Sequence, residues 1–412
     1  MKHCSSRRCS SGVKYLLLLG CCVLASGSVA RASTVAPGVY ARGGHDLYVG
    51  VERNVPDPAL NDFFDPGAQH VGPLSDSAGL RRRLSLREER RIVNAPEGRL
   101  GVSLFYSDQN PRTTVILVHG NDPETRQMGF IIPYFVRNGV NVISYDQRGT
   151  GESSGSWQLN GPEQRAQDVV AIYDAFRVDR LVDSRRIGIW GFSNGAWTAP
   201  IVTVRRPLAF MLLKSAPAES LLSNIDYEVV QEMQRHRMDL EKTQDALAAW
   251  HAFEAALSGT GPWSEVERAY SNAKKQSWFD YSLLLDIPLP PPANMKAGLV
   301  RFITYDPAET LQHVVTPTLA LYGELDRNVD ARDSSTLLRQ YFNKSGMRDF
   351  TMRIYPHAGH QLILSKTGYN GDAIPPPRYV PGYPQIMLTW LAQRGFTKPS
   401  SRSADRLAPS TN

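Results

Sequence analysis

The spacing of apolar positions divides the chain into regions of different character. Two extended stretches, 90–94 and 100–107, flank the sequence APEG at 95–98, whose proline and glycine favour a turn. This pattern predicts an antiparallel hairpin. The preceding residues contain few long apolar runs and many Gly, Pro, Asp and Asn residues, so we expect an irregular N-terminal extension over 33–84.

From residue 113 onward, short apolar runs alternate with segments of helical periodicity. The runs are rich in β-branched residues, which is typical of strands buried on both faces. The predicted strands cover 113–118, 140–145 and 187–190, and the predicted helices cover 127–138, 162–180 and 194–205. Because strands that alternate with helices pair in parallel and carry helices on both faces, we expect an α/β fold with a mostly parallel, doubly wound sheet.

The alternation stops at residue 217, and strand character returns at 318–322 and 353–355. The intervening residues 219–280 have a polar, helical pattern that carries Trp250, Trp263 and Trp278, which we expect to pack the helices together. A proline-rich run follows. We therefore predict one α/β unit in two parts, 85–217 and 309–396, with a helical insertion over 218–308 and a disordered tail over 397–412.

The first 32 residues have the three-part pattern of a secretory signal peptide. A basic region precedes the apolar run YLLLLGCCVLA, and small residues follow up to Ala32. The apolar run is too short to cross about 30 Å of hydrocarbon. Cleavage and export, to the periplasm or the medium, are therefore expected instead of stable membrane insertion. A lipoprotein anchor at Cys21 is the alternative.

Removing this segment changes the charge and the cysteine content of the chain. The formal charge is +6, but Lys2, Arg7, Arg8, Lys14 and Arg31 lie in the segment, which has no acidic residue. The remainder is close to neutral, so the composition does not favour a nucleic-acid partner. All four cysteines also lie there, which excludes disulfides, thiol catalysis and cysteine-based metal sites in a chain cut after Ala30.

The sequence GFSNG at 191–195 places Ser193 between two glycines, directly after a predicted strand and before a predicted helix. A sharp strand-to-helix turn of this kind forces the serine into a strained backbone conformation and exposes its hydroxyl. The glycines are needed because Cβ atoms there would collide with neighbouring backbone. Ser193 is therefore the candidate nucleophile.

A serine hydroxyl becomes a good nucleophile only when a neighbouring base accepts its proton. His360 follows the last predicted strand and is the candidate base, with His357 as the alternative. The imidazole needs a carboxylate to hold its tautomer, and Asp326 follows the strand at 318–322. The alternatives for the acid are Glu324, Asp330 and Asp333. All three candidates lie after strands whose ends share one sheet edge.

The charge that develops on a substrate oxygen needs hydrogen-bond donors placed in advance. The backbone N–H of Asn194 follows the nucleophile, and the loop after the strand at 113–118 begins with His119, Gly120 and Asn121. We assign the backbone N–H groups of Asn121 and Asn194 to an oxyanion hole. His119 is interpreted as a structural hydrogen-bonding residue.

Over residues 85–395 the chain resembles the α/β-hydrolase superfamily, and within it the esterases and the serine aminopeptidase or prolyl-oligopeptidase-like hydrolases. The motifs that carry the resemblance are HG at 119–120, DQRGTGES at 146–153, GFSNG at 191–195, GELD at 323–326 and AGH at 358–360. Two features depart from the pattern: the loop NDP at 121–123 is not glycine-rich, and the N-terminal extension has no counterpart. The resemblance implies that Asp146 is part of the scaffold.

The resemblance also implies an α/β-hydrolase fold in which the insertion is a lid, and a serine hydrolase that cleaves small carboxylic esters without a cofactor or metal. The alternative within catalysis is an aminopeptidase, which needs an acidic residue to bind a free amine. Candidates for that role are Glu219, Asp226 and Glu228. A non-catalytic binding protein is a further alternative, although such proteins usually lose a member of the triad.

Overall fold

The computed structural model describes residues 38–42, 45–49, 69–71, 81–108, 112–129, 131–369, 372–374, 378–383 and 385–398. The expected signal peptide over 1–32, the alternative anchor at Cys21 and nearly all of the tail expected over 397–412 lie outside these residues.

A large sheet, formed by the described residues, organises the fold. In chain order its strands are β1 Gly38–Arg42, β2 His45–Val49, β3 Gln69–Val71, β4 Arg81–Ala95, β5 Gly98–Ser107, β6 Thr114–Val118, β7 Asn141–Tyr145, β8 Ile187–Phe192, β9 Met211–Lys214, β10 Thr318–Gly323 and β11 Phe350–Tyr355. Their spatial order is β11-β10-β9-β8-β6-β7-β5-β4-β1-β2-β3. Strands β6 to β11 pair in parallel, whereas the β4–β5 hairpin joins β7 through antiparallel pairing.

Helices cover both faces of this sheet. In chain order the described helices are α1 Ile131–Arg137, α2 Pro162–Phe176, α3 Asn194–Arg205, α4 Leu221–Arg235, α5 Leu240–Ser258, α6 Trp263–Ala273, α7 Ala293–Ile303, α8 Ala308–Leu311, α9 Ala331–Lys344 and α10 Gln385–Gln393. One apolar core packs α2, α3 and α9 against the sheet, and a second packs α1 and α10 against the opposite face. The predicted doubly wound α/β fold with its N-terminal hairpin is confirmed.

Helices α4 to α7 lie between β9 and β10 and share a third apolar core. Trp250 and Trp278 are buried in it, Trp263 packs against it, and Trp197 reaches it from α3. The Trp250 indole donates to the Ser282 carbonyl. The tryptophans of the insertion therefore pack its helices, as the sequence predicts.

Three elements differ from the sequence prediction. The helix expected over 127–138 begins at Ile131, because Gly129 takes a left-handed conformation with φ of +53°. The helix expected over 162–180 ends at Phe176, and the Asp179 carboxylate then accepts the backbone N–H of Leu181, a local bond that competes with continued helix. Within the extension expected to be irregular, the described residues form β1, β2, β3 and the start of β4.

Candidate active site

The turn between β8 and α3 holds Ser193 in a strained conformation, with φ of +53° and ψ of −120°. A Cβ on Gly191 would lie 2.5 Å from the Gly195 carbonyl oxygen, and one on Gly195 would lie 2.3 Å from the Val118 carbonyl oxygen. Backbone atoms cannot rotate out of the way, so both positions require glycine. The sequence prediction of a glycine-flanked, strained serine turn agrees with this geometry.

Replacing Gly195 by alanine is expected to lower the free energy of unfolding by about 3 kcal/mol, because the added methyl group meets the carbonyl oxygens of Val118 and His119 at 2.3 and 2.5 Å. Urea unfolding followed by circular dichroism measures the change. Gly346→Ala is the control: its φ is +75°, but its Cβ would have no neighbour within 4 Å. The Gly346→Ala substitution should lower the free energy of unfolding by only about 1–2 kcal/mol, which is the cost of a left-handed backbone conformation for alanine. A smaller loss for Gly195→Ala than for Gly346→Ala would contradict the steric argument.

Asp326 and His360 form a buried pair at the carboxyl ends of β10 and β11. His360 Nδ1 lies 2.8 Å from Asp326 Oδ2, and the other carboxylate oxygen accepts the backbone N–H groups of Asn328 and Val329 at 2.9 and 3.0 Å. The two side chains are 5% and 0% exposed. An ionised carboxylate only accepts hydrogen bonds, so Nδ1 carries the proton and Nε2 keeps its lone pair. The pair therefore has the arrangement of an oriented general base.

The end of β9 connects this pair to the serine turn. The Ser193 backbone N–H donates to the Lys214 carbonyl at 3.0 Å, and the Ser215 hydroxyl donates to the His360 carbonyl at 2.8 Å. The Phe192 ring lies 5.0 Å from the His360 ring, centroid to centroid. In the described part of the chain, no hydrogen bond joins the Ser193 hydroxyl to the imidazole. The structure thus places His360 beside the serine turn.

The alternatives for base and acid have other partners. His357 is exposed, with φ of +55°, and its backbone N–H donates to the Glu324 carboxylate. Asp330 caps α9 by accepting the N–H groups of Arg332 and Asp333. Asp333 itself is exposed on that helix. Burial and hydrogen bonding favour Asp326 and His360 over these residues.

Asn121 and Asn194 lie side by side next to the serine turn. The Asn194 side-chain amide donates to Asn121 Oδ1 at 3.1 Å, and both residues are buried. Among the described residues neither backbone N–H has a hydrogen-bond partner. The N–H of Asn194 is unpaired because it begins α3, where the first N–H groups of a helix have no acceptor in the preceding turn. Two donors are therefore available where the oxyanion hole is expected.

His119 is fully buried behind this loop. Its Nε2 lies 2.5 Å from the Tyr145 carbonyl oxygen and its Nδ1 lies 3.1 Å from the Glu124 carboxylate. Because both ring nitrogens face oxygen acceptors, neither is placed to accept a proton from Ser193. The contacts agree with the structural role predicted for His119.

Arg165 is a residue that sequence reasoning missed. It lies on the buried face of α2, is 3% exposed, and donates through Nη2 to the carbonyls of His119 and Gly120 at 2.9 and 2.6 Å. These bonds fix the direction of the peptides that lead into Asn121. The only signal in the sequence is an arginine on the apolar face of an amphipathic helix.

The turn at 146–153 has a scaffold role, as the resemblance implies. The two oxygens of the Asp146 carboxylate accept the backbone N–H groups of Arg126 and Glu152, each at 2.8 Å. Arg148, which follows in the same turn, forms a buried ion pair with Asp168 on α2. These bonds hold the turn against its neighbours.

Asp122 follows the oxyanion-hole candidate Asn121. Burial raises the pKa of its carboxyl to about 6, Glu124 adds to the rise, and His360 opposes it. The folded chain thus binds this proton more tightly than the unfolded chain, in which an aspartate has a pKa of about 3.9. The raised pKa therefore has no effect on the free energy of unfolding below about pH 4. It lowers that free energy progressively as the pH rises from 4 through 6.

Asp122→Asn is expected to raise the free energy of unfolding by about 1–2 kcal/mol at pH 7.5, relative to the wild type, and to leave it unchanged at pH 3.5. The asparagine keeps the shape of the side chain and removes the charge. Urea unfolding of both proteins at the two pH values measures the difference. An equal difference at both pH values would show that Asp122 is not the titrating group.

A narrow cavity adjoins Ser193. Its lining comes from Asn121, Ser193, Asn194, Trp197, Pro217, Asn224, Glu228 and Val329. Of the three acidic residues predicted for amine binding, Glu228 alone lines it: the Glu219 carboxylate accepts from the Ser334 hydroxyl, and Asp226 pairs with the half-exposed His251. Burial, and then the negative charge of Asp326, raise the pKa of Glu228 well above its usual range.

Helix α4 is hydrogen-bonded to the loops that carry the candidate acid and base. The Tyr227 hydroxyl donates to the Asp326 carbonyl at 2.7 Å. Arg327 donates to the Gln231 side chain at 2.8 Å and to the Thr367 carbonyl at 2.7 Å, and the Tyr369 hydroxyl donates to the Gln231 carbonyl at 2.8 Å. The same helix contributes Asn224 and Glu228 to the cavity. Helix α4 therefore both lines the cavity and is hydrogen-bonded to the loops that carry Asp326 and His360.

Two features are absent from the described residues. Across these residues no group of three or more His, Cys, Asp or Glu side chains is arranged to hold a metal ion. None of the helices that the structure describes combines the length and the apolar character needed to cross a bilayer.

Comparisons with known proteins extend this description. The model of the family described as serine aminopeptidase, S33, matches residues 109–367. The bifunctional esterase/perhydrolase of Acinetobacter calcoaceticus is 24% identical over 246 residues, which are 56% of this chain and 80% of that protein. An esterase from Pyrococcus furiosus has 16% identity and a TM-score of 0.42, with 66% of this chain and 84% of that one covered. The proline iminopeptidase of Mycobacterium smegmatis has 18% identity and a TM-score of 0.41, with 66% of this chain and 91% of that one covered.

The family match spans more than half of the chain and includes the serine turn, the acid and the base. Together with the doubly wound sheet, it settles the family. The chain belongs to the serine aminopeptidase S33 family of α/β hydrolases.

Proposed function

We propose that the protein is a serine hydrolase that cleaves carboxylic esters through an acyl-enzyme. The observation that carries the proposal is the buried Asp326–His360 pair beside a strained, glycine-flanked Ser193. Asp326 orients the imidazole, His360 moves the proton, and Ser193 is the nucleophile. The backbone N–H groups of Asn121 and Asn194 stabilise the oxyanion.

The reaction proceeds in two halves. Ser193 Oγ attacks the ester carbonyl while His360 Nε2 takes the hydroxyl proton, and the tetrahedral oxyanion forms between the two N–H donors. The carbon–oxygen bond to the alcohol then breaks, and His360 returns its proton to the leaving oxygen. Water, deprotonated by His360, then attacks the acyl-enzyme; the bond from the carbonyl carbon to Ser193 Oγ breaks, His360 returns the proton to Oγ, and the acid and the free Ser193 hydroxyl are released. The balance needs no cofactor.

Cleavage of esters is favoured over cleavage of peptides by two observations. The relative from Acinetobacter carries the name esterase/perhydrolase. In addition, Glu228 is the acid that an aminopeptidase would use, and burial beside Asp326 favours its neutral form. A neutral carboxyl attracts an ammonium group poorly. A serine aminopeptidase stays the second candidate, because Glu228 does line the cavity.

Covalent labelling tests the proposal. A fluorophosphonate reacts with an activated serine by forming an Oγ–P bond and releasing fluoride. We expect loss of p-nitrophenyl acetate hydrolysis in step with one label per chain, located on Ser193 by peptide mass spectrometry. No turnover and no labelling of Ser193 would favour the binding-protein alternative, whereas turnover with a label on another residue would show that Ser193 is not the nucleophile. Turnover of alanine p-nitroanilide in preference to the ester would select the aminopeptidase.

We also propose that residues 1–32 direct export and are then removed. The support is the basic, apolar and small-residue pattern of the sequence. Edman sequencing of the protein from the exported fraction should begin at residue 31 or 33. A chain that begins at Cys21 and loses its membrane association in Cys21→Ala would indicate the lipoprotein alternative.

A further inference from the structure

We propose that the cavity beside Ser193 selects an acyl group that carries a hydroxyl near the reacting carbonyl. This inference rests on the proposed function and specifies its substrate class. It is carried by buried polar side-chain atoms that are left without partners on residues that line this cavity.

Three of the lining residues each bury such an atom. Among the described residues, Asn194 Oδ1, Asn224 Oδ1 and Trp197 Nε1 have no hydrogen-bond partner. The three residues are 4%, 3% and 3% exposed. Buried polar groups in folded proteins are almost always hydrogen-bonded, and exceptions call for an explanation. Three exceptions around one cavity that also contains the candidate nucleophile point to a polar ligand.

Each of the two amide nitrogens has a partner. The Asn194 amide nitrogen donates to Asn121 Oδ1, and the Asn224 amide nitrogen donates to Glu228 Oε1 at 2.7 Å. Each amide oxygen is therefore the group left for a ligand. The cavity offers two acceptors and, through the Trp197 indole, one donor.

This set of groups discriminates between ligand chemistries. A hydroxyl both donates and accepts, so one hydroxyl can pair one amide oxygen together with the indole N–H, and two hydroxyls can pair all three atoms. An ammonium only donates and would leave the indole unpaired, whereas an alkyl group would leave all three atoms unpaired. A carboxylate ligand is disfavoured, because neither lysine nor arginine is among the residues that line the cavity.

The side of the ester follows from the position of the cavity. Its lining contains Ser193 together with both oxyanion-hole candidates, Asn121 and Asn194. The carbonyl carbon bonded to Ser193 must lie between these groups, and the acyl group stays there after the alcohol has left. The cavity is therefore assigned to the acyl group.

Matched pairs of methyl esters test the inference by pH-stat titration. Methyl 2-hydroxypropanoate is compared with methyl 2-methylpropanoate, and methyl 3-hydroxypropanoate with methyl butanoate, so that a methyl group replaces each hydroxyl. Methyl 2-aminopropanoate is the amine counterpart. Each kcat/KM is divided by the rate constant of hydroxide-catalysed hydrolysis of the same ester, which removes the intrinsic reactivity of the hydroxy esters.

For at least one pair we expect a corrected hydroxyl preference of about tenfold or more, since a site built to hydrogen-bond a hydroxyl rejects an analogue that lacks it. In Asn224→Leu and in Trp197→Phe the preference should fall to about threefold or less. Asn272→Leu, at an exposed position of α6, should keep the wild-type ratio.

Two results would overturn the inference: no hydroxyl preference in either pair, or a preference for the amino ester. Fluorophosphonate labelling of the same preparations separates this failure from failure of the proposed function. A chain that is labelled at Ser193 but shows no hydroxyl preference keeps its mechanism and loses only the substrate class.

Discussion

Replacing Ser193 by alanine is expected to lower kcat for p-nitrophenyl acetate by about 10⁴-fold or more. Without Oγ no acyl-enzyme can form, and only water attack assisted by the oxyanion-hole donors remains. The strained backbone of the turn is set by Gly191 and Gly195, which the substitution leaves in place. The variant should therefore fold, and its free energy of unfolding should stay within about 1 kcal/mol of the wild type.

Ser258→Ala is the matched control, because it removes a hydroxyl from the exposed end of α5. It should keep full turnover. Steady-state kinetics, with the concentration of folded protein taken from absorbance and circular dichroism, measures both variants. If Ser193→Ala retained more than about 1% of kcat, attack by this hydroxyl would not be the route of the reaction.

Asp326→Asn is expected to lower kcat at neutral pH by about 10⁴-fold. The wild-type carboxylate accepts from His360 Nδ1 and from two backbone N–H groups, so its acceptor positions are in use. An asparagine either turns its amide nitrogen toward His360, which forces the wrong tautomer, or turns it toward the backbone donors. In the first case Nε2 carries a proton and cannot accept one from Ser193.

The controls for this prediction are Asp330→Asn and Asp333→Asn, which change neighbouring carboxylates on or before α9. Both should stay within about threefold of wild-type kcat, since neither side chain contacts His360. Circular dichroism separates loss of activity from loss of fold. A decrease of less than tenfold for Asp326→Asn, with the fold intact, would mean that another group orients the histidine.

Much of the core of the fold could be predicted from the sequence because its signals are local. A run such as 115–118 is apolar at every position, and the strand–serine–helix junction at 187–205 is marked by glycines that the backbone requires. The acid and the base could be chosen because parallel strands end at one sheet edge. Asp326 and His360 each follow a strand that ends there.

The remainder depends on contacts between distant segments. The four-residue strand β9 is too short to separate from its surroundings by pattern, although its end contacts both the serine turn and the histidine loop. The role of Arg165 depends on α2 packing behind the His119 loop. Of Glu219, Asp226 and Glu228, only Glu228 lines the cavity, and this depends on how the insertion folds. The sequence has no feature that distinguishes Glu228 from the other two.

Helix α4 contributes both to the lining of the cavity and to the position of Asp326. Asn224 and Glu228 on this helix line the cavity, and Tyr227 on the same helix holds the backbone carbonyl of Asp326. A substitution that changes the cavity by moving α4 therefore also moves the hydrogen bond that holds Asp326, the proposed catalytic acid. Substrate range and turnover in this protein are consequently not independent traits, and an exchange of the whole insertion with that of a relative would have to carry Tyr227 and Gln231 with it to preserve the rate.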